Sequence, residues 1–303
     1  MKKISHIITV MIAALTLAAC NNAKVPDDYS KSETQPAIYP DYAGTTIPVN
    51  IAPLCFMYTG DATDMVTQIA YQDTEILCSG IKAVPDTDEW KELLNKAKGA
   101  KIDVTVYTEN NGKWTQHKPF SIDISPDSIN PYISYRLIPP SYVTYEKLTI
   151  NQRCLENFDE SVIYDNMLCS SEGKEQCINC HSYQNYNPDK IQFHARQQNG
   201  GTIIAMDGKV RKINMKHDSL LSAGVYPAWH PHLNLIAYST NHTMQNFHTR
   251  DKNKVEVFDT DSDVILFDTE NNIVMPVSRL KDEMESFPSW SPDGKWLYYC
   301  SAK

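Results

Sequence analysis

The chain has 303 residues, a net charge of −9 and 42% hydrophobic residues. This length is enough for more than one folded domain, and the hydrophobic fraction is that of a globular protein and not of a disordered one. The acidic balance argues against a nucleic-acid partner, because such a partner requires a basic surface.

The first 20 residues have the pattern of a bacterial lipoprotein signal. Lys2 and Lys3 give a positive start, and an apolar run from Ile7 to Ala19 follows. The run is shorter than the about 20 residues of a membrane span, so residues 1–19 are predicted to be a cleaved signal peptide. Leu17-Ala18-Ala19-Cys20 resembles the lipobox, in which the cysteine is lipidated. An ordinary cleavage site near the same alanines is the alternative.

Residues 20–45 are predicted to be the lipidated Cys20 and a flexible tether. They mix polar residues with proline and show no apolar period. Asn21, and not an acidic residue, follows Cys20. By analogy with lipoprotein sorting, this favours transfer of the protein to the outer membrane, where it would face the periplasm. The predicted partners are the membrane, through the lipid anchor, and a protein that docks on the exported chain.

Residues 46–150 are predicted to form a small β-rich domain followed by a connector. Asn110-Asn111-Gly112 indicates a hairpin, and the connector begins near residue 125, where proline and tyrosine become frequent. Asp86 and Glu89 have the spacing of a capping box, which predicts a helix from about residue 87 to 98. Apolar alternation predicts strands at 47–58, 65–71, 74–78, 101–108 and 113–124.

The segment 151–200 contains the motif Cys177-Ile178-Asn179-Cys180-His181. Two cysteines separated by two residues and followed by a histidine form the attachment motif of c-type haem, in which the thiols bond to the porphyrin and the imidazole binds iron. This composition gives about 0.006 such motifs by chance, so the pattern is specific. The sequence therefore predicts an irregular haem-binding segment with covalent haem c on Cys177, Cys180 and His181.

Three other roles of these two cysteines stay open at this stage: a redox dithiol, a structural zinc site and a plain disulfide. Export favours haem, because c-type haem is normally attached outside the cytoplasm. Pairing among the remaining cysteines cannot be deduced from sequence, and these are Cys55, Cys78, Cys154, Cys169 and Cys300.

His194 is predicted to be the second iron ligand, and Arg196 is predicted to pair with a haem propionate. A guanidinium group matches a carboxylate in a two-point geometry. The alternatives are a surface histidine and an exposed arginine without such roles. The competing iron ligands are Met167, Met206, Met215 and His217.

Residues 201–303 contain an internal repeat. Tyr226-Pro227-Ala228-Trp229 recurs as Phe287-Pro288-Ser289-Trp290, and a turn and an apolar strand follow each copy. Such repetition is typical of successive four-stranded propeller blades. His230 and His232 occupy the turn of the first copy, where a turn role is favoured over metal binding.

The string Trp290-Ser291-Pro292-Asp293-Gly294-Lys295 resembles the WD40-like repeat of TolB-type β-propellers. The chain as a whole resembles a family of bacterial lipoproteins that have a β-rich domain, a CxxCH segment and such a propeller in this order. The resemblance implies a mainly β fold that ends in a partial propeller of about two blades. The family's propeller continues further, whereas this chain stops three residues after Cys300, so the propeller is predicted to be truncated.

These features predict a membrane-anchored monohaem c-type cytochrome lipoprotein that transfers electrons and uses the propeller as a protein-docking platform. No nucleophile, paired acid or phosphate-binding loop in the sequence indicates an enzyme. Two alternatives stay open: a TolB-like binding or scaffold lipoprotein in which the haem is structural, and a haem peroxidase or reductase.

Overall fold

The computed structural model describes residues 23–138, 147–171, 173–174 and 176–303. The predicted signal peptide and Cys20 lie outside the described residues. The fold is mainly β, with 52% of the described residues in strands and 5% in helices. The chain divides into two units: residues up to 133 with 153–160, and residues 134–152 with 161–303. Within the described ranges, no helix is long and apolar enough to cross a membrane.

The first unit contains a seven-stranded sheet, a small three-stranded sheet and one helix. The long strand β8 is central to the larger sheet: β5 pairs with one of its edges, and β9 and β10 pair with the other. The elements are β1 (Ser30–Lys31), β2 (Ile38–Tyr39), β3 (Thr46–Pro48), β4 (Phe56–Tyr58), β5 (Asp64–Tyr71), β6 (Thr74–Ser79), β7 (Lys82–Ala83), α1 (Thr87–Lys96), β8 (Lys101–Asn110), β9 (Lys113–Gln116) and β10 (Phe120–Ser125).

Helix α1 confirms the capping prediction. The Asp86 carboxylate accepts hydrogen bonds from the backbone N–H groups of Asp88 and Glu89, which have no partner inside the helix. The helix buries Trp90, Leu93 and Leu94 against the sheet. The Trp90 indole N–H donates to the Ile51 carbonyl, so this buried polar group is satisfied.

The second unit contains most of a three-stranded sheet, two four-stranded antiparallel sheets and a two-stranded one. No sheet in the described ranges closes on itself. The strands are β11 (Tyr132–Leu137), β12 (Thr149–Cys154), β13 (Glu160–Asp165), β14 (Cys177–Tyr183), β15 (Lys190–Arg196), β16 (Gly201–Met206), β17 (Lys209–Ile213), β18 (Val225–Trp229), β19 (Leu235–Phe247), β20 (Val255–Asp268), β21 (Ile273–Ser278), β22 (Met284–Trp290) and β23 (Leu297–Ala302).

The first strands of three successive sheets share one local irregularity. In β14, β18 and β22, the pairing register with the next strand shifts by one residue, so two residues oppose one. The first residue of each bulge has a left-handed backbone, which side chains other than glycine adopt at a cost. These residues are Cys180, Tyr226 and Phe287, with φ of 55°, 50° and 57°.

The haem-motif strand is therefore the first member of a threefold structural repeat. Cys180-His181-Ser182-Tyr183 occupies the place of the two aromatic-Pro-x-Trp segments found by sequence. The structure thus differs from the expected irregular segment at 151–200, where it has strands β12 to β15. Successive sheets begin at Cys177 and not after residue 200.

An indole hydrogen bond ties each repeat to the preceding one. The Trp229 Nε1–H donates to the Ser182 carbonyl at 3.2 Å, and the Trp290 Nε1–H donates to the Ala228 carbonyl at 3.1 Å. Ser182 and Ala228 hold the same position in their strands, two residues after the bulge. Consistent with these bonds, β14 lies next to β18, and β18 lies next to β22.

We expect Trp229→Phe to destabilise the second unit. The substitution leaves the Ser182 carbonyl without its donor and a small void behind the ring, which together cost about 2 kcal/mol of unfolding free energy. Urea unfolding measures the loss. The matched control is Trp296→Phe, because Trp296 is 65% exposed and a surface change of this kind alters stability by less than about 0.5 kcal/mol. Equal effects of the two substitutions would contradict the role of the indole bond.

Candidate haem-attachment site

The two thiols of the motif lie on strand β14, which pairs only with β15 in its sheet. Cys177 is buried, Cys180 is half-buried, and both are free cysteines. In the β14–β15 register, Cys177 lies opposite Arg196 and Asn179 lies opposite His194. Directly opposed residues of an antiparallel pair project to the same face. The pairing therefore places Arg196 opposite Cys177.

The other face of β14 and β15 anchors the motif strand. Ile178 is fully buried and packs with Phe193 and Ala195 in an apolar cluster. The Phe193 ring centroid lies 4.7 Å from that of Tyr164 on β13. Burial of Ile178 therefore fixes the backbone between the two cysteines.

His181 is half-buried and hydrogen-bonded. Burial lowers the pKa of its imidazole; a hydrogen bond to the Ser134 backbone opposes this effect, and the Arg136 charge lowers the pKa further. Arg136 also donates to the Ile178 carbonyl at 3.0 Å. The net shift favours the neutral imidazole, which is the form that binds a metal ion.

His194 is buried on β15 in different surroundings. Its Nδ1 lies 3.1 Å from the Thr202 hydroxyl. Burial, followed by the Arg196 charge, lowers the pKa of His194 to about 4. The contact with Thr202 involves Nδ1 of His194 and not its other ring nitrogen, Nε2.

The other candidate ligands have ordinary surroundings. Met215 belongs to an apolar core cluster, against which Met206 packs. His217 accepts a hydrogen bond from the Ser219 backbone, and Met167 is exposed at a turn. Across the described ranges, no three His, Cys, Asp or Glu side chains converge as ligands of a metal ion.

Two exposed aromatic rings continue the row of bulges that begins at Cys180. Tyr226 and Phe287 occupy the equivalent bulge positions, are 43% and 54% exposed, and have ring centroids 4.7 Å apart. Burial raises the pKa of Tyr226, Asp259 and Cys180 raise it further, and Arg196 lowers it, so Cys180 and Arg196 both lie near this ring. We call Tyr226 and Phe287 the aromatic shelf. Sequence reasoning had assigned both residues only to the repeat.

The residues around the motif fit a haem in their chemistry. Two free thiols, a neutral imidazole next to the second thiol and an exposed apolar surface suit a flat apolar macrocycle. Arg196, opposite Cys177, adds a cation that suits a carboxylate such as a haem propionate. This combination depends on the bulge, because the same backbone feature positions Cys180 and both shelf rings.

The predicted turn role of His230 is confirmed. Its Nδ1 accepts hydrogen bonds from the backbone N–H groups of His232 and Leu233, at 3.0 and 2.9 Å. The ring proton must then lie on Nε2, which is 3.1 Å from the Gly294 carbonyl. Both ring nitrogens are therefore used within the protein.

We expect acid to destabilise the haem-free protein through His194. The unfolded state binds a proton on this residue below pH about 6.5, whereas the folded state resists protonation until about pH 4. Stability present above pH 6.5 is therefore lost as the pH falls to 4, by up to about 3 kcal/mol. Urea unfolding across this range should show a flatter pH profile for His194→Gln. The exposed His242→Gln is the control, and an unchanged slope in His194→Gln would contradict the assignment.

No protein-family model and no curated protein matches the chain. Two solved structures are similar to it. An oligogalacturonate lyase in complex with manganese shares 12% identity over 50% of this chain and 50% of its own, with a TM-score of 0.24, so the chain spans about half the length of that lyase. The β-propeller domain of the Trilobed protease from Pyrococcus furiosus, which has an open velcro topology, shares 13% identity over 68% of this chain and 75% of its own, with a TM-score of 0.26.

Proposed function

We propose that the protein is a lipid-anchored envelope cytochrome that carries one haem c on Cys177, Cys180 and His181 and transfers single electrons. In this proposal, lipid on Cys20 anchors the protein to the outer membrane, where the protein faces the periplasm. The propeller-like sheets of the second unit provide the docking platform for a protein redox partner.

One observation carries the proposal. The cysteines of the motif are free thiols on an edge strand, and the bulge at Cys180 recurs in the next two repeats under the exposed rings of the aromatic shelf. The bulge is a feature of the repeat, and only its first copy carries the two thiols and the imidazole. The exposed Tyr226 ring near the second thiol, with Phe287 packed against it, supplies the apolar contact that a porphyrin face needs.

Each named side chain has a separate task in this proposal. Each thiol adds across one porphyrin vinyl group, with sulfur bonding to one carbon and hydrogen to the other, so no oxidant is consumed. The neutral His181 imidazole offers a lone pair to the iron, and Arg196 pairs with a propionate. When bound, haem supplies a reversible one-electron iron couple.

We keep His194 as the proposed second iron ligand. Its Nδ1 lies 3.1 Å from the Thr202 hydroxyl, so Nε2 is the nitrogen that would bind the iron, with Thr202 orienting the ring. Burial and then the Arg196 charge lower the pKa of His194, which favours the neutral form that binds a metal ion.

We expect Cys177→Ser and Cys180→Ser each to lose one thioether when the protein is expressed with haem-maturation machinery. One vinyl group then stays conjugated with the porphyrin, which shifts the pyridine haemochrome band to longer wavelength, and the double variant retains no covalent haem. The control is Cys169→Ser, because Cys169 is an exposed cysteine outside the motif.

Two outcomes would contradict this function. Wild-type protein without covalent haem after permissive maturation would remove the cofactor from the proposal. A haem that reacts with peroxide and shows no reversible couple in redox titration would favour the peroxidase alternative over electron transfer.

We also expect His194→Gln to change the visible spectrum of the haem-loaded protein from low to high spin, because the substitution removes the proposed second ligand of the iron. His181→Gln, which removes the other proposed ligand, is the matched comparison and should also alter the spectrum. An unchanged low-spin spectrum in His194→Gln would remove His194 from the proposal.

A further inference from the structure

A second feature of the repeat lies at the far end of the same three strands. The residues that end β14, β18 and β22 are Tyr183, Trp229 and Trp290, which line one open groove of about 310 Å³. Tyr186, from the turn after β14, also lines it. We call these four residues the aromatic groove. A pocket of this size is at the small end of ligand sites in proteins.

The polar groups of the groove favour an uncharged ligand. The residues that line it include no Asp, Glu, Lys, Arg or His. The indole N–H groups of Trp229 and Trp290 already donate to backbone carbonyls. The Asn185 amide and the Ser289 hydroxyl also line the groove, and neither forms a side-chain hydrogen bond with another described residue. The groove therefore offers the exposed ring of Tyr186 and the half-buried rings of Tyr183 and Trp290 together with a neutral amide and a neutral hydroxyl, while the buried Trp229 supports its floor.

Tyr186 is held in the groove by an unfavourable backbone. Asn185 and Tyr186 have consecutive left-handed conformations, with φ of 47° and 61°, and Tyr186 is 86% exposed. This conformation costs conformational free energy at a bulky residue, and packing of the exposed ring offsets little of that cost. Strain without burial indicates that the ring serves a contact outside the chain.

We propose that the aromatic groove binds a neutral carbohydrate. The C–H face of a sugar ring packs on aromatic rings, while its hydroxyl groups both donate to and accept from amide and hydroxyl side chains. A proline-rich peptide suits the groove less well. Both indole N–H groups are already used, and prolines have no backbone N–H to donate to the acceptor oxygens of Asn185 and Ser289, whereas sugar hydroxyl groups both donate and accept.

The groove is separate from the haem motif. Tyr183 lies three residues beyond Cys180 on the same strand, a distance of about 10 Å. None of the four groove residues is among those assigned to the thiols, the iron ligand or the aromatic shelf. Sugar binding and haem attachment can therefore fail independently.

The test is a titration of the full chain with three neutral tetrasaccharides: cellotetraose, chitotetraose and maltotetraose. Saturation-transfer NMR and tryptophan fluorescence should show saturable binding of at least one, with a dissociation constant of about 1 mM or tighter. Tyr186→Ala should weaken this binding at least about fivefold, and Tyr186→Phe should retain it because the ring remains. Asn185→Gly removes the amide while it keeps the backbone accessible, and it should also weaken binding. Phe247→Ala is the control, because Phe247 is an exposed aromatic residue outside the groove.

Three results would overturn the proposal. The first is no saturable binding of any neutral tetrasaccharide up to about 10 mM. The second is equal affinity of Tyr186→Ala and Phe247→Ala. The third is tighter binding of a polyproline peptide or of tetragalacturonate than of every neutral sugar, which would assign the groove to another ligand class.

Discussion

The bulge in the first strand of each sheet is the constraint on which the second unit depends. One left-handed residue in β14, β18 and β22 shifts the pairing register and re-aims the side chains around it. Two residues later, a backbone carbonyl of β14 or β18 accepts the indole N–H of the next repeat. The strain at the bulge is thus retained by bonds that need this geometry.

The same backbone feature links the fold to the proposed chemistry. The bulge places Cys180 in a row with Tyr226 and Phe287, so the second thiol of the motif lies near the Tyr226 ring, which in turn packs against Phe287. The regular pairing before the bulge places Arg196 opposite Cys177. A repeat that builds sheets elsewhere in the chain therefore presents, in its first copy, two thiols and an imidazole on β14 and a cation on the paired strand β15.

Local signals in the sequence predicted some of these features and missed others. The capping residues Asp86 and Glu89 were enough to predict α1, because capping depends on neighbours in the chain. The first copy of the repeat was missed, because Cys180-His181-Ser182-Tyr183 keeps the backbone bulge without the Pro and Trp that reveal the other two. The sequence named Arg196, but its position opposite Cys177 depends on strand register. The aromatic groove depends on the backbone conformation of Tyr186, which no residue type announces.

The central claim is that haem is bonded to the strand that begins at Cys177. Its most direct test is the mass of the tryptic peptide cut after Lys174 and Lys190, which contains both cysteines of the motif. The account predicts that this peptide, from protein matured with haem, carries the mass of exactly one haem and releases it only when the thioethers are cleaved. A peptide at its unmodified mass, or with the two-proton loss of a Cys177–Cys180 disulfide, would contradict the account.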